Sequence, residues 1–210
     1  MFITFEGIDG CGKTTQIKLL AGLLTKHGRE VVIIREPGST DFSESIRNIL
    51  LSHKFDIEPV TELLLFEASR SNLIKKVIKP ALDSGKIVLT DRFYDSTTAY
   101  QGYGRGLDLK SVIFCNELAT DALKPDITIF LDVSIKTSLR RSGGRKQDRI
   151  EVAGNEFFER VRQGYHDIAK NEPQRFHIIN AENEINLTHN HIITLLIKHF
   201  PGILNHKSEN

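Results

Sequence analysis

The strongest constraint on this 210-residue chain is a glycine-rich segment close to its start. The segment reads Gly7-Ile8-Asp9-Gly10-Cys11-Gly12-Lys13-Thr14, a full match to the pattern G-x-x-x-x-G-K-[ST]. It follows an apolar strand candidate and opens a helical pattern, which is the context that such a phosphate-binding loop (P-loop) requires. Glycines let backbone N–H groups converge on phosphate oxygens, and Lys13 adds a positive charge at the N-terminus of the helix. The segment predicts binding of a nucleoside triphosphate, with Mg²⁺ held through the hydroxyl of Thr14.

Short apolar runs alternate with longer amphipathic runs along the rest of the chain. The short runs are apolar throughout, which indicates strands buried on both faces, as in a parallel sheet covered by helices. Strands are predicted at Phe2–Phe5, Val31–Ile34, Ile87–Thr90, Ile127–Leu131 and Phe176–Ile179. Helices are predicted at Thr14–Lys26, Ser43–Leu51, Pro59–Ser84, Leu109–Leu123, Ile135–Ser142, Glu156–Lys170 and Asn186–His199. The expected fold class is α/β: one domain over residues 1–210, with a five-stranded parallel sheet and helices on both faces.

Charge and hydropathy exclude several classes of protein. Twenty-eight basic residues against 27 acidic ones argue against a nucleic-acid-coating protein. No apolar run approaches the roughly 18 residues of a membrane span, and the N-terminus lacks the features of a signal peptide. The two cysteines, Cys11 and Cys115, have neither disulfide-framework nor zinc spacing. These features predict a cytoplasmic protein that binds neither nucleic acid nor membranes.

Two further segments lack regular periodicity. The run Arg140-Arg141-Ser142-Gly143-Gly144-Arg145-Lys146-Gln147-Asp148-Arg149 is rich in basic residues. Taken alone it is typical of a solvated loop, but beside a nucleotide site it favours a mobile basic flap, which we place at about 140–151. The run Gly102-Tyr103-Gly104-Arg105-Gly106 is interpreted as a flexible connection, and residues 204–210 as a flexible tail.

Other motifs and residues of the chain narrow the class of P-loop protein to which it can belong. No Asn-Lys dipeptide occurs, so the guanine-reading motif of GTPases is absent, and small kinases are favoured. Asp9 places a carboxylate beside the triphosphate, where it could accept a sugar hydroxyl or hold an arginine. Asp91-Arg92 ends the third strand and pairs a Mg²⁺-organising carboxylate with a phosphate-binding guanidinium. Asp132 ends the fourth strand and competes for the metal role, or caps the next helix.

Phe66 and Arg70 are four residues apart on one helix and therefore share a face. On that face a ring could stack on a base while a guanidinium reaches the polar edge of the base or a phosphate. Considered singly, Phe66 is more typical of a core residue and Arg70 of a surface residue.

Together these pieces resemble the thymidylate (dTMP) kinase family in its bacterial form, a family of P-loop nucleoside monophosphate kinases. The resemblance covers about Phe2 to Ala181. Its motifs are Glu6–Thr15, Arg35-Glu36-Pro37-Gly38, Leu65-Phe66-Glu67-Ala68-Ser69-Arg70, Asp91-Arg92-Phe93, Ser96–Gly102, Lys124-Pro125-Asp126, Leu131-Asp132-Val133 and Asp148-Arg149-Ile150-Glu151. It implies a P-loop kinase fold with a short lid, a homodimer, and ATP- and Mg²⁺-dependent conversion of dTMP to dTDP for dTTP synthesis.

The resemblance also implies roles for individual residues. ATP is expected at Gly7, Ile8, Asp9, Gly10, Cys11, Gly12, Lys13, Thr14 and Thr15, and the metal at Thr14 and Asp91. The dTMP site is expected to comprise Asp9, Arg35, Glu36, Pro37, Phe66, Arg70, Arg92, Ser96, Thr97, Tyr100 and Gln101. In this set Phe66 stacks on thymine, Arg70, Thr97 and Gln101 contact the base, and Tyr100 excludes a 2′-hydroxyl. Asp9 takes the 3′-hydroxyl, while Arg35 and Arg92 hold the acceptor phosphate.

Catalysis is expected to depend on Asp9, Lys13, Arg92, Arg145 and Arg149, the last two from the basic flap, with Arg141 a further candidate. Cys11 stands where the family commonly has a smaller residue. It is either a small side chain that fits or a redox-sensitive thiol whose pKa is lowered by Lys13 and the helix N-terminus. Two alternative functions stay open: a deoxynucleoside or other nucleoside monophosphate kinase of the same fold, and a nucleotide-dependent switch.

Overall fold

The computed structural model describes residues 1–143 and 148–205. Within them, all five predicted strands form, and each is one residue longer at its C-terminal end than the apolar run indicated. The strands are β1 (Phe2–Glu6), β2 (Val31–Arg35), β3 (Ile87–Asp91), β4 (Ile127–Asp132) and β5 (Phe176–Asn180). They pair in parallel in the order β2-β3-β1-β4-β5, which confirms the five-stranded parallel sheet. The C-terminal ends of the central strands therefore meet at one edge, where ligands of such sheets bind.

The predicted helices are confirmed with small changes at their ends. They are α1 (Lys13–Lys26), α2 (Asp41–Leu50), α3 (Pro59–Leu73), α4 (Lys79–Asp83), α6 (Leu109–Thr120), α7 (Ile135–Ser142), α8 (Asn155–Asn171) and α9 (Ile185–His199); a short helix, α5, is described below. The expected single helix from Pro59 to Ser84 contains a π-helical turn at Ile74–Ile78, between α3 and α4. Pro80 follows this turn, and because proline lacks an N–H and crowds the preceding turn, the helix widens there.

Residues 94–104, after β3, are helical, which corrects the prediction of a flexible connection at 102–106 as far as Gly104. Helix α5 (Tyr94–Thr97) continues into a π-helix at Thr98–Gly104. A Cβ on Gly104 would lie 2.6 Å from Phe157, and one on Gly102 would lie 2.6 Å from Leu109. Gly104 is thus needed for close packing against Phe157 and Val161 of α8, whereas at Gly102 the close atom is the end of the flexible Leu109 side chain.

The core lies on both faces of the sheet. Strand β1 is central, and its apolar side chains are almost completely buried. Part of the predicted tail also joins the core, because Leu204 packs against it; residues 206–210 lie outside the described range. No helix in the described part of the chain is long and apolar enough to cross a membrane.

Candidate active site

The P-loop connects β1 to α1 and holds its shape through close backbone packing. Gly7 has φ 136°, and a Cβ there would lie 2.7 Å from the carbonyl oxygen of Leu131. Gly10 has φ 75°, and a Cβ there would lie 2.6 Å from Ser142 Oγ at the end of α7. Glycine is therefore required at both positions. Lys13 Nζ folds back over the loop and donates to the carbonyl oxygens of Gly7 (3.0 Å) and Ile8 (3.3 Å).

Cys11 is buried inside this loop. Lys13 Nζ lies 3.7 Å from its sulfur, but burial dominates and raises the pKa of the thiol above its ordinary value. A thiol with a raised pKa holds little thiolate at neutral pH and is a poor nucleophile. The hypothesis of a lowered pKa at Cys11 is therefore wrong, and Cys11 acts as a small apolar residue that fits the loop.

The two candidate metal carboxylates have different surroundings. Asp91 accepts a 2.9 Å hydrogen bond from the Thr14 hydroxyl and lies 3.9 Å from Lys13 Nζ. Asp132 instead accepts two hydrogen bonds from Arg162, at 2.6 and 2.8 Å, and lies 3.2 Å from His166. Asp132 does not cap α7 as one interpretation held, because Ser134 takes that position. Asp91 is therefore the carboxylate beside the P-loop.

A cavity of about 970 Å³ opens over the P-loop, and we call it the larger cavity. One wall consists of the P-loop and the start of α1: Asp9, Gly10, Cys11, Gly12, Lys13, Thr14 and Thr15. The lining also includes Arg141, residues of the turn after β5 and the start of α9, between Ala181 and Thr188. Arg141 donates to the carbonyl oxygens of Ala181 (2.9 Å) and Glu182 (3.3 Å). The segment between β5 and α9 carries no motif, so this wall could not be predicted from the sequence.

A second cavity, of about 90 Å³, adjoins the first, and we call it the smaller cavity. Except for Arg35, it is lined by every residue predicted for the dTMP site: Asp9, Glu36, Pro37, Phe66, Arg70, Arg92, Ser96, Thr97, Tyr100 and Gln101. Asp9, Glu36, Arg47 and Arg92 line both cavities, so the two sites meet at these four residues. Arg47 was missed, because an arginine within an amphipathic helix is typical of a solvated face. It donates to the carbonyl oxygen of Pro37 at 3.0 Å.

Arg70 is almost completely buried, and its interpretation as a surface residue is wrong. Its Nε donates to Glu36 at 2.8 Å and its Nη1 to Glu67 at 2.5 Å. Burial raises the pKa of Glu36 to about 7, although Arg70 opposes the shift. Glu36 Oε1 is buried and accepts no hydrogen bond from the described residues. The smaller cavity therefore contains a fixed guanidinium beside a carboxylate with a spare acceptor.

Arg92 lies at the junction of the two cavities. Its Nη2 donates to Asp9 (3.2 Å) and Tyr100 (3.2 Å), and its Nη1 donates to Ser96 (3.1 Å). The guanidinium also lies 4.9 Å above the Tyr100 ring. Asp9 therefore holds an arginine, one of the two roles considered for it. These contacts hold the positive charge of Arg92 where the two ligands would meet.

Near Arg92 lies Glu6, a buried carboxylate to which the sequence pattern assigned no role. It accepts hydrogen bonds from Phe93 N (2.7 Å), Ser96 Oγ (2.5 Å) and Tyr165 OH (2.9 Å). Burial raises its pKa to about 7. Its partners come from two distant segments of the chain, which only the fold brings together. Ser96 contacts both Glu6 and Arg92, so Glu6 holds a residue that in turn holds Arg92.

The remaining predicted cations occupy different places. Arg35 lines the larger cavity, is about half exposed, and pairs with Glu44 at 2.9 Å. Arg149 lies beside the smaller cavity, where it donates to Glu62 and, at 3.0 Å, to the carbonyl oxygen of Leu50. Arg145 lies outside the described residues. Of the flap arginines in the described range, Arg141 is the one that lines the larger cavity.

Comparison with known proteins gives one consistent result. A family model described as thymidylate kinase matches residues 5–192. A thymidylate kinase of Prosthecochloris aestuarii is 50% identical over 99% of this chain and 97% of its own length. One of Caldanaerobacter subterraneus is 45% identical over 96% of the chain and 97% of its own length. The crystal structure of thymidylate kinase from Ehrlichia chaffeensis is 44% identical, with a TM-score of 0.78 over 93% of this chain and 97% of that one.

Proposed function

The chain belongs to the thymidylate kinase family and phosphorylates dTMP, and we propose that the reaction takes place where its two cavities meet. One observation carries this assignment: Asp9 and Arg92 line both the larger cavity over the P-loop and the smaller cavity that holds Phe66 and Arg70. A phosphoryl donor in one cavity and an acceptor in the other would present their phosphates to the same guanidinium. Positioning and charge neutralisation then supply most of the catalysis.

ATP is assigned to the larger cavity. The backbone N–H groups of the P-loop, with Gly7 and Ile8 at its start and Thr15 at its end, would hold the β- and γ-phosphates at the N-terminus of α1. Lys13 exchanges its present carbonyl contacts for phosphate oxygens. The nucleoside end of ATP would lie beside Arg141, the turn after β5 and the start of α9, since these residues also line the larger cavity.

The acceptor dTMP is assigned to the smaller cavity. Phe66 offers a ring for stacking on thymine, and Arg70, Thr97 and Gln101 offer polar groups to its edge. Tyr100 lies against the deoxyribose, Asp9 takes the 3′-hydroxyl, and Glu36, Pro37 and Ser96 complete the walls. Arg92 and Arg35 hold the phosphate. An oxygen of this phosphate attacks the γ-phosphorus of ATP and forms a new P–O bond with it. The bond between the γ-phosphorus and the oxygen that stays with ADP breaks.

The smaller cavity predicts a selective acceptor. We expect kcat/KM for dTMP to exceed that for dCMP, dAMP and dGMP by about 10²-fold or more, because the site is narrow and its polar groups are fixed. The preference over dUMP should be smaller, about 10-fold to 10²-fold, since only a methyl group differs. ADP release measured with each monophosphate at several concentrations tests this. Equal turnover of a purine monophosphate would contradict the assignment.

Mg²⁺ is assigned to Thr14 and Asp91. Their oxygens are hard donors 2.9 Å apart at the P-loop and fit a Mg²⁺ ion that shares its coordination with ATP phosphates. When bound, the ion would neutralise charge on those phosphates. No cluster of three or more His, Cys, Asp or Glu residues suited to a metal occurs within residues 1–143 and 148–205, which agrees with a site completed by the nucleotide.

Asp91 and Asp132 form a matched pair for testing the metal assignment. We expect Asp91→Asn to raise the half-saturating Mg²⁺ concentration by about 10-fold to 10²-fold, because the charged partner of Thr14 is lost. Asp132→Asn removes a carboxylate that pairs with Arg162, and it should leave the Mg²⁺ dependence unchanged. Initial rates against Mg²⁺ at fixed ATP measure both. A larger shift for Asp132→Asn would reassign the metal.

Catalytic charge from the basic flap is assigned to Arg145, with Arg141 at the edge of the larger cavity as a second candidate. Arg149, the other predicted flap cation, presently pairs with Glu62 beside the smaller cavity. Its catalytic role is a proposal that requires the guanidinium to leave that carboxylate. The acceptor phosphate is itself an anionic nucleophile, so no covalent enzyme intermediate is needed.

We also propose a homodimer formed through an apolar surface on α3 and α6. Each of these helices carries two exposed apolar side chains, one helical turn apart: Val60 and Leu64 on α3, and Phe114 and Leu118 on α6. They are 55% to 72% exposed. The two helices pack against each other, and we infer that these side chains share one face. A face of this kind is unfavourable in water, and a second copy of the chain offers a self-complementary cover.

We expect Phe114→Glu to convert a dimer into a monomer of about 23.8 kDa, because a buried, unpaired carboxylate would oppose the interface. Ile197→Glu adds the same charge to α9, at a residue that is also partly exposed, and should leave the mass unchanged. Light scattering after size exclusion measures the mass of each. A monomeric unmodified protein, or an unchanged mass for Phe114→Glu, would refute the proposed interface.

A further inference from the structure

Glu62 is a completely buried carboxylate near the start of α3, and no step described so far uses it. Its Oε1 accepts from Gln101 Nε2 at 2.8 Å and from Arg105 Nε at 3.1 Å. Its Oε2 accepts from Arg105 Nη2 at 3.1 Å and from Arg149 Nη2. The four donors come from the π-helix, from the residue just after it, and from the flap.

Glu62 is ionised at neutral pH. Burial alone would raise its pKa, but the hydrogen bonds from Arg105, Gln101 and Arg149 outweigh burial and hold the pKa below its ordinary value. An ionised carboxylate has no proton to donate and can only accept hydrogen bonds. The side-chain amide of Gln101 must therefore turn its NH₂ group toward Glu62, and its Oε1 is directed away from that carboxylate.

Gln101 is buried and lines the smaller cavity. Among residues 1–143 and 148–205, its side-chain hydrogen bond is the one that Nε2 donates to Glu62, so Oε1 is available to a ligand in the cavity. A ligand that meets it must offer a hydrogen-bond donor. Thymine and uracil carry N3–H at their polar edge, whereas cytosine carries a lone pair on N3.

We propose that Glu62 is a positioning residue that sets the base specificity of the site by locking Gln101 as a hydrogen-bond acceptor. The inference rests on the proposed placement of the base beside Gln101. Thymine or uracil completes the bond with N3–H. Cytosine places its N3 lone pair against the oxygen, and two buried acceptors then face each other without a proton between them.

The test compares kcat/KM for dTMP, dUMP and dCMP in the unmodified enzyme, Glu62→Gln and Glu62→Asp. In Glu62→Gln the new carbonyl oxygen can stay with Arg105 and Arg149 while the new NH₂ group faces Gln101. Gln101 is then free to rotate and offer its own NH₂ group to cytosine N3. The ratio of dTMP to dCMP should fall about tenfold, while the ratio of dTMP to dUMP and the KM for ATP stay within about twofold.

Glu62→Asp keeps an acceptor-only group and should retain most of the discrimination against dCMP. Equal losses for dTMP and dCMP in Glu62→Gln would show a merely structural role and overturn the proposal, although the proposed function would stand. Absence of dTMP turnover by the unmodified enzyme would overturn both.

A measurement on the unmodified protein covers the case in which Glu62→Gln does not fold. Binding of dCMP, measured by calorimetry relative to dTMP, should tighten as the pH falls toward the range where cytosine N3 gains a proton. The protonated base presents the N3–H donor that the Gln101 oxygen requires, whereas thymine does not change. The dTMP titration corrects for protein groups and the phosphate, which titrate with either ligand. A constant affinity ratio would overturn the proposal.

Discussion

Replacing Lys13 with methionine is expected to lower kcat by about 10³-fold, the largest effect that the structure predicts for a single residue. Lys13 is 6% exposed, and its ammonium group is held over the P-loop by two backbone carbonyl oxygens. In the proposed complex it exchanges these oxygens for phosphate oxygens, where negative charge develops on the transferred group. Methionine keeps the length and the apolar stem of the side chain, so the change isolates the loss of charge.

Lys18→Met is the matched control for this variant. Lys18 also lies on α1 but is exposed, and the same change there should leave kcat within about twofold. Steady-state rates at saturating ATP and dTMP measure both variants. A Lys13→Met enzyme that keeps a tenth or more of its kcat would remove Lys13 from the catalytic group.

Replacing Arg92 with glutamine is expected to lower kcat/KM for dTMP by about 10²-fold to 10³-fold while changing the KM for ATP little. Arg92 is held by Asp9, Ser96 and Tyr100 at the junction of the two cavities, and the substitution removes a fixed charge from the proposed site of the acceptor phosphate. Arg92→Lys should restore only part of the loss, because a lysine cannot form the same paired hydrogen bonds.

Arg35→Gln provides the comparison for Arg92. Arg35 is half exposed and paired with Glu44, so solvent screens its charge and a smaller loss is expected. Rates against dTMP at saturating ATP measure each variant. A larger loss for Arg35→Gln than for Arg92→Gln would mean that the acceptor phosphate lies farther from the junction than proposed.

The sheet and the P-loop could be predicted from sequence because their signals are local. The strands are continuous apolar runs, and the loop is a complete motif in the right context. The turn of π-helix after α5 could not be predicted in this way. The glycines at 102 and 104 suggested flexibility, but the lack of a Cβ at Gly104 serves the packing against α8.

Site residues that belong to a motif could be predicted from the sequence, whereas the partners of buried charged residues could not. Arg70 suggested a surface residue because its partner Glu36 becomes visible only when α3 packs beside the loop after β2, whereas a pair with Glu67 on the same helix is also typical of a solvated face. Asp132 was ambiguous for the same reason, since Arg162 lies on a distant helix. Glu62 carried no signal and Glu6 stood only at the start of a family motif, because a buried carboxylate is defined by donors from several segments.

The most direct test of the central claim, phosphoryl transfer to a bound monophosphate, is ADP release from ATP and Mg²⁺ with dTMP, with thymidine, or with no acceptor. We predict rapid release with dTMP, and release at least about 10²-fold slower with thymidine, which leaves Arg92 without its phosphate partner. Release without any acceptor should be negligible. Turnover of thymidine equal to that of dTMP, or ADP release that is independent of an acceptor, would contradict the account.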